Sequence, residues 1–247
     1  MEFEERLLEI MGHKWHPSID FIHWHGTKKQ LEAECLQEYW VYIKDFPRYL
    51  ENIIAMDPEE DVAEALRENI QEEKYGRTSR LNLAHKTLFL YTMKGLGYEI
   101  SGFRDVVPAP SAVKYKQWLE DITKNGSWLE ALAVITIFVE GYVRNEREEL
   151  EKARKISDTS FSEKMRSIRN VIGSHYLARR FGLDRKYLKF KKAHLMAESG
   201  HRKDAWDMVL KYADTKEKQE AVINAMEKSL RLWKEYRIGI AARVYSV

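Results

Sequence analysis

The 247-residue sequence contains one cysteine, five prolines and twelve glycines. A single cysteine, Cys35, excludes an internal disulfide and is typical of a reducing compartment, so we expect a cytoplasmic protein. Few prolines and glycines mean few turns, which favours long helices. The residues are 44% hydrophobic, enough for one sizeable core. We therefore expect a single domain over residues 1–247.

The sequence also lacks an excess of charge and any long apolar run. Forty-one lysines and arginines balance 39 acidic residues, and a net charge of +2 argues against a nucleic-acid partner. The longest apolar run, Ala131 to Val139, is less than half of the roughly 20 residues that a membrane-spanning helix needs. The acidic, amphipathic start MEFEERLLEI predicts neither a secretion signal nor a transit peptide. We expect no membrane partner.

Apolar residues recur at helical spacing along nearly the whole chain, and no segment shows the convincing alternation of a β-strand. The sequence therefore predicts an all-α fold, a single helical bundle. Prolines, glycines and capping residues mark its breaks. The predicted helices span residues 2–11, 28–56, 59–75, 80–97, 111–124, 127–154, 161–181, 184–210 and 215–235.

Ionisable side chains interrupt the apolar stripes of four of these helices. A buried ionisable group is costly unless it is paired or binds a metal. Glu73 lies within about 20° of Leu66 on the helical wheel and Glu72 about 120° away, so Glu73 rather than Glu72 is the expected inward carboxylate. His85 lies among apolar positions of the next helix, and Glu140 follows the most hydrophobic helix directly.

The fourth interrupted helix carries His194, Glu198 and His201 at positions i, i+4 and i+7, within about 40–60° of one another on a face that Ala205 continues. Helical bundles build di-iron or di-manganese sites from such inward Glu and His side chains. Carboxylate and imidazole ligands suit iron or manganese, and the lack of thiolates disfavours structural zinc. Taken singly, a buried Glu also fits an ion pair, and a lone His fits the core.

Several short segments resemble the TenA/PqqC-like, haem-oxygenase-like fold, and in particular the haem-oxygenase-like di-iron oxidase family. The resemblance spans nearly the whole chain. The segments are WVYIKDFPRYL at 40–50, NIQEEKYG at 69–76, AHKTLF at 84–89, Glu140 after its apolar helix, and His194-x3-Glu198-x2-His201.

The resemblance implies a ligand set for two Fe(II) ions per chain, with manganese as an alternative metal and O2 as co-substrate. Glu140 is the expected bridging carboxylate. Many relatives have aspartate where this chain has Glu198. The implied metal ligands are Glu73, His85, Glu140, His194, Glu198 and His201.

The resemblance further implies an O2-activating oxidase or oxygenase whose small-molecule substrate is amino-acid-like or fatty-acid-like. N-oxygenation, desaturation and C–C cleavage all occur in the family. One branch is thought to consume a tyrosine of its own, but that tyrosine and its partner align with Phe21 and Val139. An external substrate is therefore expected here, and a homodimer is common for the fold.

A carboxylate-bearing substrate would need a cationic anchor near the metals. Arg77 and Arg80 lie near the third and fourth predicted helices, and Arg144 lies one turn beyond Glu140. Trp128 is a candidate for the pocket wall. These four are the candidate substrate-binding residues, although solvated surface charge and core packing also account for them.

Three other functions remain open at this stage. A cofactor-free enzyme of the PqqC or TenA type would use His and Glu as acid–base groups. A non-enzymatic helical interaction protein would bury the same groups as ion pairs. Haem binding is a weaker alternative, because it needs one axial histidine and no cluster of carboxylates.

Overall fold

The computed structural model describes residues 2–155 and 161–246, and within them every side chain except those of residues 161–164, 198 and 199. The structure is 78% helix without strands in this part of the chain, which confirms the predicted all-α class. None of its helices is long and apolar enough to cross a membrane.

The described residues form thirteen α-helices, two π-helical segments and two short 3-10 helices. The α-helices are α1 (Phe3–Gly12), α2 (Pro17–Trp24), α3 (Lys28–Glu38), α4 (Phe46–Ile54), α5 (Glu60–Tyr75), α6 (His85–Gly95), α7 (Pro110–Asn125), α8 (Trp128–Leu132), α9 (Glu146–Lys155), α10 (Phe161–Ser174), α11 (Tyr176–Phe181), α12 (Lys189–Tyr212) and α13 (Lys216–Tyr245). The first π segment is Tyr39–Ile43 and the second is Ala133–Val139; the 3-10 helices are Ile100–Phe103 and Arg185–Tyr187.

The longest of the described helices, α13, has 30 residues. It packs against α1, α3, α7 and the second π segment. Trp233, Tyr236 and Ile240 on α13 are buried in these contacts. Burial of apolar surface along one long helix contributes about 25 cal/mol for each Å² removed from water, so α13 organises the core.

Two long helices predicted from the sequence are interrupted in the structure. The predicted helix 28–56 changes to the first π segment after Glu38, and α4 restarts at Phe46 with Pro47 in its first turn. The predicted helix 127–154 ends after the second π segment, and α9 begins only at Glu146. Helical periodicity does not reveal a π segment. Its residues remain apolar, and the one extra residue only rotates the buried face of the helix.

The predicted helix 80–97 begins later than expected, at His85. Arg80 and Asn82 have φ angles of 56° and 54°, which an α-helix does not accommodate. Residues 76–84 therefore form a loop, and His85 occupies the first turn of α6.

The other predicted boundaries differ less. Segment 161–181 divides at His175, which caps α11 with its side chain, and segment 184–210 begins with the 3-10 helix before α12. Helix α13 continues ten residues past its predicted end at 235, and α2 was not predicted.

The contact between α6 and the chain before α12 yields a stability prediction. A Cβ at Gly95 would lie 2.3 Å from the ring of Tyr187, whose carbonyl accepts a hydrogen bond from Thr92. We expect Gly95→Ala to lower the free energy of unfolding by about 1–3 kcal/mol, because the ring has to move. Gly12→Ala is the control, since no atom lies within 4 Å of its added Cβ. Urea denaturation measures both, and equal effects would contradict the prediction.

Candidate metal centre

Three of the predicted ligands meet in the interior of the bundle. The ligand atoms of Glu73 on α5, His85 on α6 and His194 on α12 lie within 4.8 Å of one another. Glu73 is 8% exposed and His85 is 4% exposed. The rings of His85 and His194 stack with their centroids 4.8 Å apart. Two consecutive helices, α5 and α6, and the distant α12 thus present one carboxylate and two imidazoles to a common point.

Glu72 is also buried, so the prediction that only Glu73 points inward was wrong. Glu72 has no exposed surface, and its Oε1 lies 3.0 Å from Nε2 of His85. Its Oε2 accepts a hydrogen bond from the backbone N–H of Ser79. Both carboxylates face inward because α5 is covered on more than one side, by α4, α6 and α12. The helical wheel assumed a single buried face.

The two carboxylates determine the protonation of His85. Burial alone would lower the pKa of this imidazole, but Glu72 and Glu73 outweigh burial and raise it to about 10. Burial likewise opposes ionisation of Glu72, yet contacts with His85 and Ser79 lower its pKa to about 2. Without a metal, His85 is therefore an imidazolium between two carboxylates at neutral pH.

The orientation of His85 suits a metal ligand. Its Nε2 faces Glu72, while its buried Nδ1 lies 2.6 Å from Oε1 of Glu73 without an aligned hydrogen bond among the described residues. Metal-binding histidines usually direct their second ring nitrogen to a carboxylate, which fixes the tautomer. Glu72 occupies that position. The donor set of Glu73, His85 and His194 thus fits iron or manganese.

Glu140 joins this group at the wall of a cavity of about 240 Å³. Phe89, Phe190 and Val139 form part of its apolar lining, and Phe190 packs against both imidazole rings. The complete lining is Glu38, Tyr42, Ile43, Phe46, Glu73, His85, Phe89, Val139, Glu140, Phe190 and His194. Four of the six predicted metal ligands therefore border one cavity.

Lys14 fixes the segment that carries Glu140. Lys14 is 2% exposed, and its Nζ donates to the carbonyl oxygens of Phe138, Val139 and Gly141 at 2.5, 3.3 and 2.8 Å. Three acceptors match the three N–H donors of an ammonium group. Burial nevertheless lowers the pKa of Lys14 to about 7. The amino group of Lys14 therefore lies at the carbonyl end of the second π segment. Two of the carbonyls that it contacts belong to the residues directly before and after Glu140.

Gly141 explains why the chain turns at this point. A Cβ there would lie 2.2 Å from the carbonyl oxygen of Ile137 and 2.4 Å from Cε of Met11. The next residue, Tyr142, donates its backbone N–H to buried Glu146. The close packing of Gly141 against Ile137 and Met11, and the hydrogen bonds that Lys14 and Tyr142 donate, together hold the backbone around Glu140.

The remaining predicted ligands are on α12. His201 lines a different, small cavity with Asn69 and Leu66 from α5. Burial lowers the pKa of His201, and Glu73 and Glu72 oppose that shift, so the imidazole lies within electrostatic reach of the cluster. The side chain of Glu198 lies outside the described residues.

None of the four predicted substrate-binding residues lines the cavity. Arg77 and Arg80 are exposed on the loop after α5. Arg144 is exposed and pairs with Asp20, and Trp128 packs edge-on against Tyr212. The structure therefore does not bring these side chains to the candidate metal ligands.

Sequence reasoning missed three polar residues of the site: Glu72, Glu38 and Tyr42. Glu72 directly precedes the predicted ligand Glu73, but the helical wheel predicted that its side chain points away from the core. Glu38 ends α3, and Tyr42 belongs to the first π segment. π-Helical segments occur often at functional sites, and both segments of this chain contribute to the cavity wall. No residue pattern in the sequence signals them.

Comparison with known proteins assigns the family. A family model described as iron-containing redox enzyme, of haem-oxygenase-like type, matches residues 33–234. The chain belongs to this family, and the resemblance found in its sequence is confirmed. Its family is one of oxidoreductases. No curated protein matches the sequence significantly.

Solved structures support the fold. A TenA homologue from Pseudomonas syringae pv. tomato has a TM-score of 0.67 at 14% identity, over 99% of this chain and 91% of that one. A domain of unknown function with a haem-oxygenase-like fold, from Shewanella denitrificans, has a TM-score of 0.66 at 16% identity, over 98% and 90%. At such identities the likeness establishes the haem-oxygenase-like fold and no activity.

Metal binding should release protons from this site. A ligand imidazole has to be neutral at the nitrogen that binds, whereas His85 has a pKa of about 10 without metal. We expect Mn(II) or Fe(II) binding at pH 7.5 to release about one proton per chain from His85, and affinity to rise about tenfold per pH unit. Anaerobic calorimetry in buffers of different ionisation enthalpy measures the protons. Unchanged release in His85→Gln would contradict this origin.

Lys14→Met should weaken both the fold and the site. Three buried carbonyls lose their donor, which we expect to cost about 1–3 kcal/mol of unfolding free energy. Metal affinity should fall about 10- to 100-fold, as for other groups that orient ligands. Lys116→Met is the matched control, because Lys116 is also buried but pairs with Asp45. Equal loss of metal affinity in both variants would mean that Lys14 has no specific effect on Glu140.

Proposed function

We propose that this chain is a non-haem di-iron oxidase or oxygenase that uses O2 to oxidise a small external substrate. Glu73, His85, His194 and Glu140 would hold the metals, with Glu198 and His201 from α12 completing the set. The observation that carries the proposal is the buried cluster of Glu73, His85 and His194 in a chain of the iron-containing redox enzyme family. Ferrous ions held by these residues would supply the electrons for O2 reduction.

The protein's own residues prepare the site in three ways. Glu72 accepts from His85 Nε2 and so leaves Nδ1 to the metal side. Lys14 holds the backbone around Glu140. The phenyl rings of Phe89 and Phe190 limit access of water to the histidines, which protects reactive oxygen chemistry from side reactions.

Iron content tests the proposal directly. Anaerobic loading with Fe(II) should give about two irons per chain, and air should then produce a new optical band. We expect His194→Ala and Glu140→Ala to lose most of the iron, because each removes a ligand. His25→Ala and Glu64→Gln are the controls, since both side chains are exposed away from the cavity. Their iron content should equal that of the wild type.

Two outcomes would contradict the proposal. A wild-type chain that retains no iron after loading and desalting has no di-iron site. Equal iron loss in the exposed control variants would show that the metal binds the surface rather than the cavity.

A cofactor-free enzyme of the TenA type is the second candidate. The supporting observation is His85 itself, because a buried imidazolium between Glu72 and Glu73 can exchange protons without a metal. The fold is shared with a TenA homologue. This candidate would be favoured over the first if the protein bound no iron and bound small ligands equally well before and after treatment with Fe(II).

A further inference from the structure

A buried charge cluster lies behind the wall of the cavity that Glu38 forms. Arg237 on α13 is 1% exposed, and its Nη2 lies 2.5 Å from Oε1 of Glu34. Its Nη1 lies 3.4 Å from Oε1 of Glu38. Ser18 Oγ accepts from Nε and Nη2 at 3.3 and 3.0 Å. The guanidinium is thus bound closely by Glu34 and only loosely by Glu38.

The charges of this cluster do not balance. Glu34 and Glu38 supply two carboxylates to a single guanidinium, which leaves one negative charge when both are ionised. The imidazoles of His16 and His23 interact electrostatically with Arg237, and burial lowers the pKa of each, so they add no positive charge at neutral pH. Burial and Glu34 accordingly raise the pKa of Glu38 to about 8.

The unbalanced carboxylate is the one that borders the cavity. Glu34 is 3% exposed at its side chain, whereas Glu38 is 26% exposed and lines the cavity beside Tyr42. No lysine or arginine occurs among the described residues of that lining. The aromatic rings of Phe46, Phe89 and Tyr42 complete this part of the wall, and such rings attract cations as well as apolar groups.

We propose that Glu38 is a specificity-determining residue that binds a protonated amine of the substrate, with Arg237 and Glu34 holding its carboxylate in place. The inference rests on the proposed function, because it makes this cavity the substrate site. The ligand class is a small organic ammonium with an apolar body, since the cavity is about 240 Å³ and drug-sized ligands occupy about 300 Å³ or more. The ammonium takes the place of the Glu38 proton, which passes to solvent, and the cluster remains neutral.

Three ligands with the same six-carbon chain and different polar groups test the ammonium subsite. Hexylamine, hexan-1-ol and hexanoate are titrated calorimetrically at pH 7.5 into the anaerobic Fe(II)-loaded protein and the metal-free protein. We expect hexylamine to bind about tenfold or more tightly than hexan-1-ol in both, the difference that a charge-assisted hydrogen bond gives. In Glu38→Gln this preference should disappear while hexan-1-ol affinity stays the same. Glu32→Gln on α3 is the control, because its side chain does not line the cavity.

The outcomes separate this inference from the proposed function. Equal affinity for hexylamine and hexan-1-ol, or an amine preference that survives Glu38→Gln, overturns the ammonium subsite. Preference for hexanoate over hexylamine in the metal-free wild type also overturns it, because the cavity would then select an anion. The comparison of amine with alcohol in the wild type does not depend on how any variant folds. If the wild-type chain binds no iron but still prefers hexylamine to hexan-1-ol, only the di-iron proposal is refuted.

Discussion

The cost of burying carboxylates inside a helical bundle constrains the whole site. An isolated ionised carboxylate is expensive in an apolar interior, so each buried one needs a cation or donors. Glu72 and Glu73 meet His85 between them, Glu34 meets Arg237, and buried Glu146 accepts from Trp206 and from the backbone of Tyr142. These pairings join α5 to α6, α3 to α13 and α9 to α12. The same contacts that stabilise the charges therefore set the arrangement of the helices around the cavity.

The two π segments form the irregular backbone beside these buried carboxylates. Each replaces one stretch of regular helix beside the cavity, and each is followed by a break in the helix. The break after Val139 places Glu140 at a helix end, where Lys14 takes up free carbonyls that would otherwise lack donors. A regular helix through residue 140 would satisfy those carbonyls internally and leave no place for the ammonium.

The sequence predicted the class of fold and most helices because apolar periodicity is a local signal with a physical origin in one buried face. It also indicated Glu73, His85 and His194 through polar interruptions of that periodicity. It did not predict Glu72, since α5 is covered from several sides and a wheel assumes one. Nor did it predict the π segments at residues 39–43 and 133–139, because a π segment preserves the apolar composition of a helix. Glu38 was missed because its contact with Arg237 joins residues 199 positions apart in the chain.

Two groups of buried carboxylates border the cavity, and their negative charge is neutralised in different ways. Near Arg237 the chain supplies its own cation, but one guanidinium faces two carboxylates. In the other group, Glu72 and Glu73 flank the protonated His85, and Glu140 follows the carbonyl of Val139 that Lys14 contacts. In the proposed function, divalent metals would replace the proton of His85 and offset the charge of these carboxylates. A substrate ammonium would do the same for Glu38. The apolar residues of the cavity lining, Phe89 and Phe190 among them, would then limit the size and shape of the substrate.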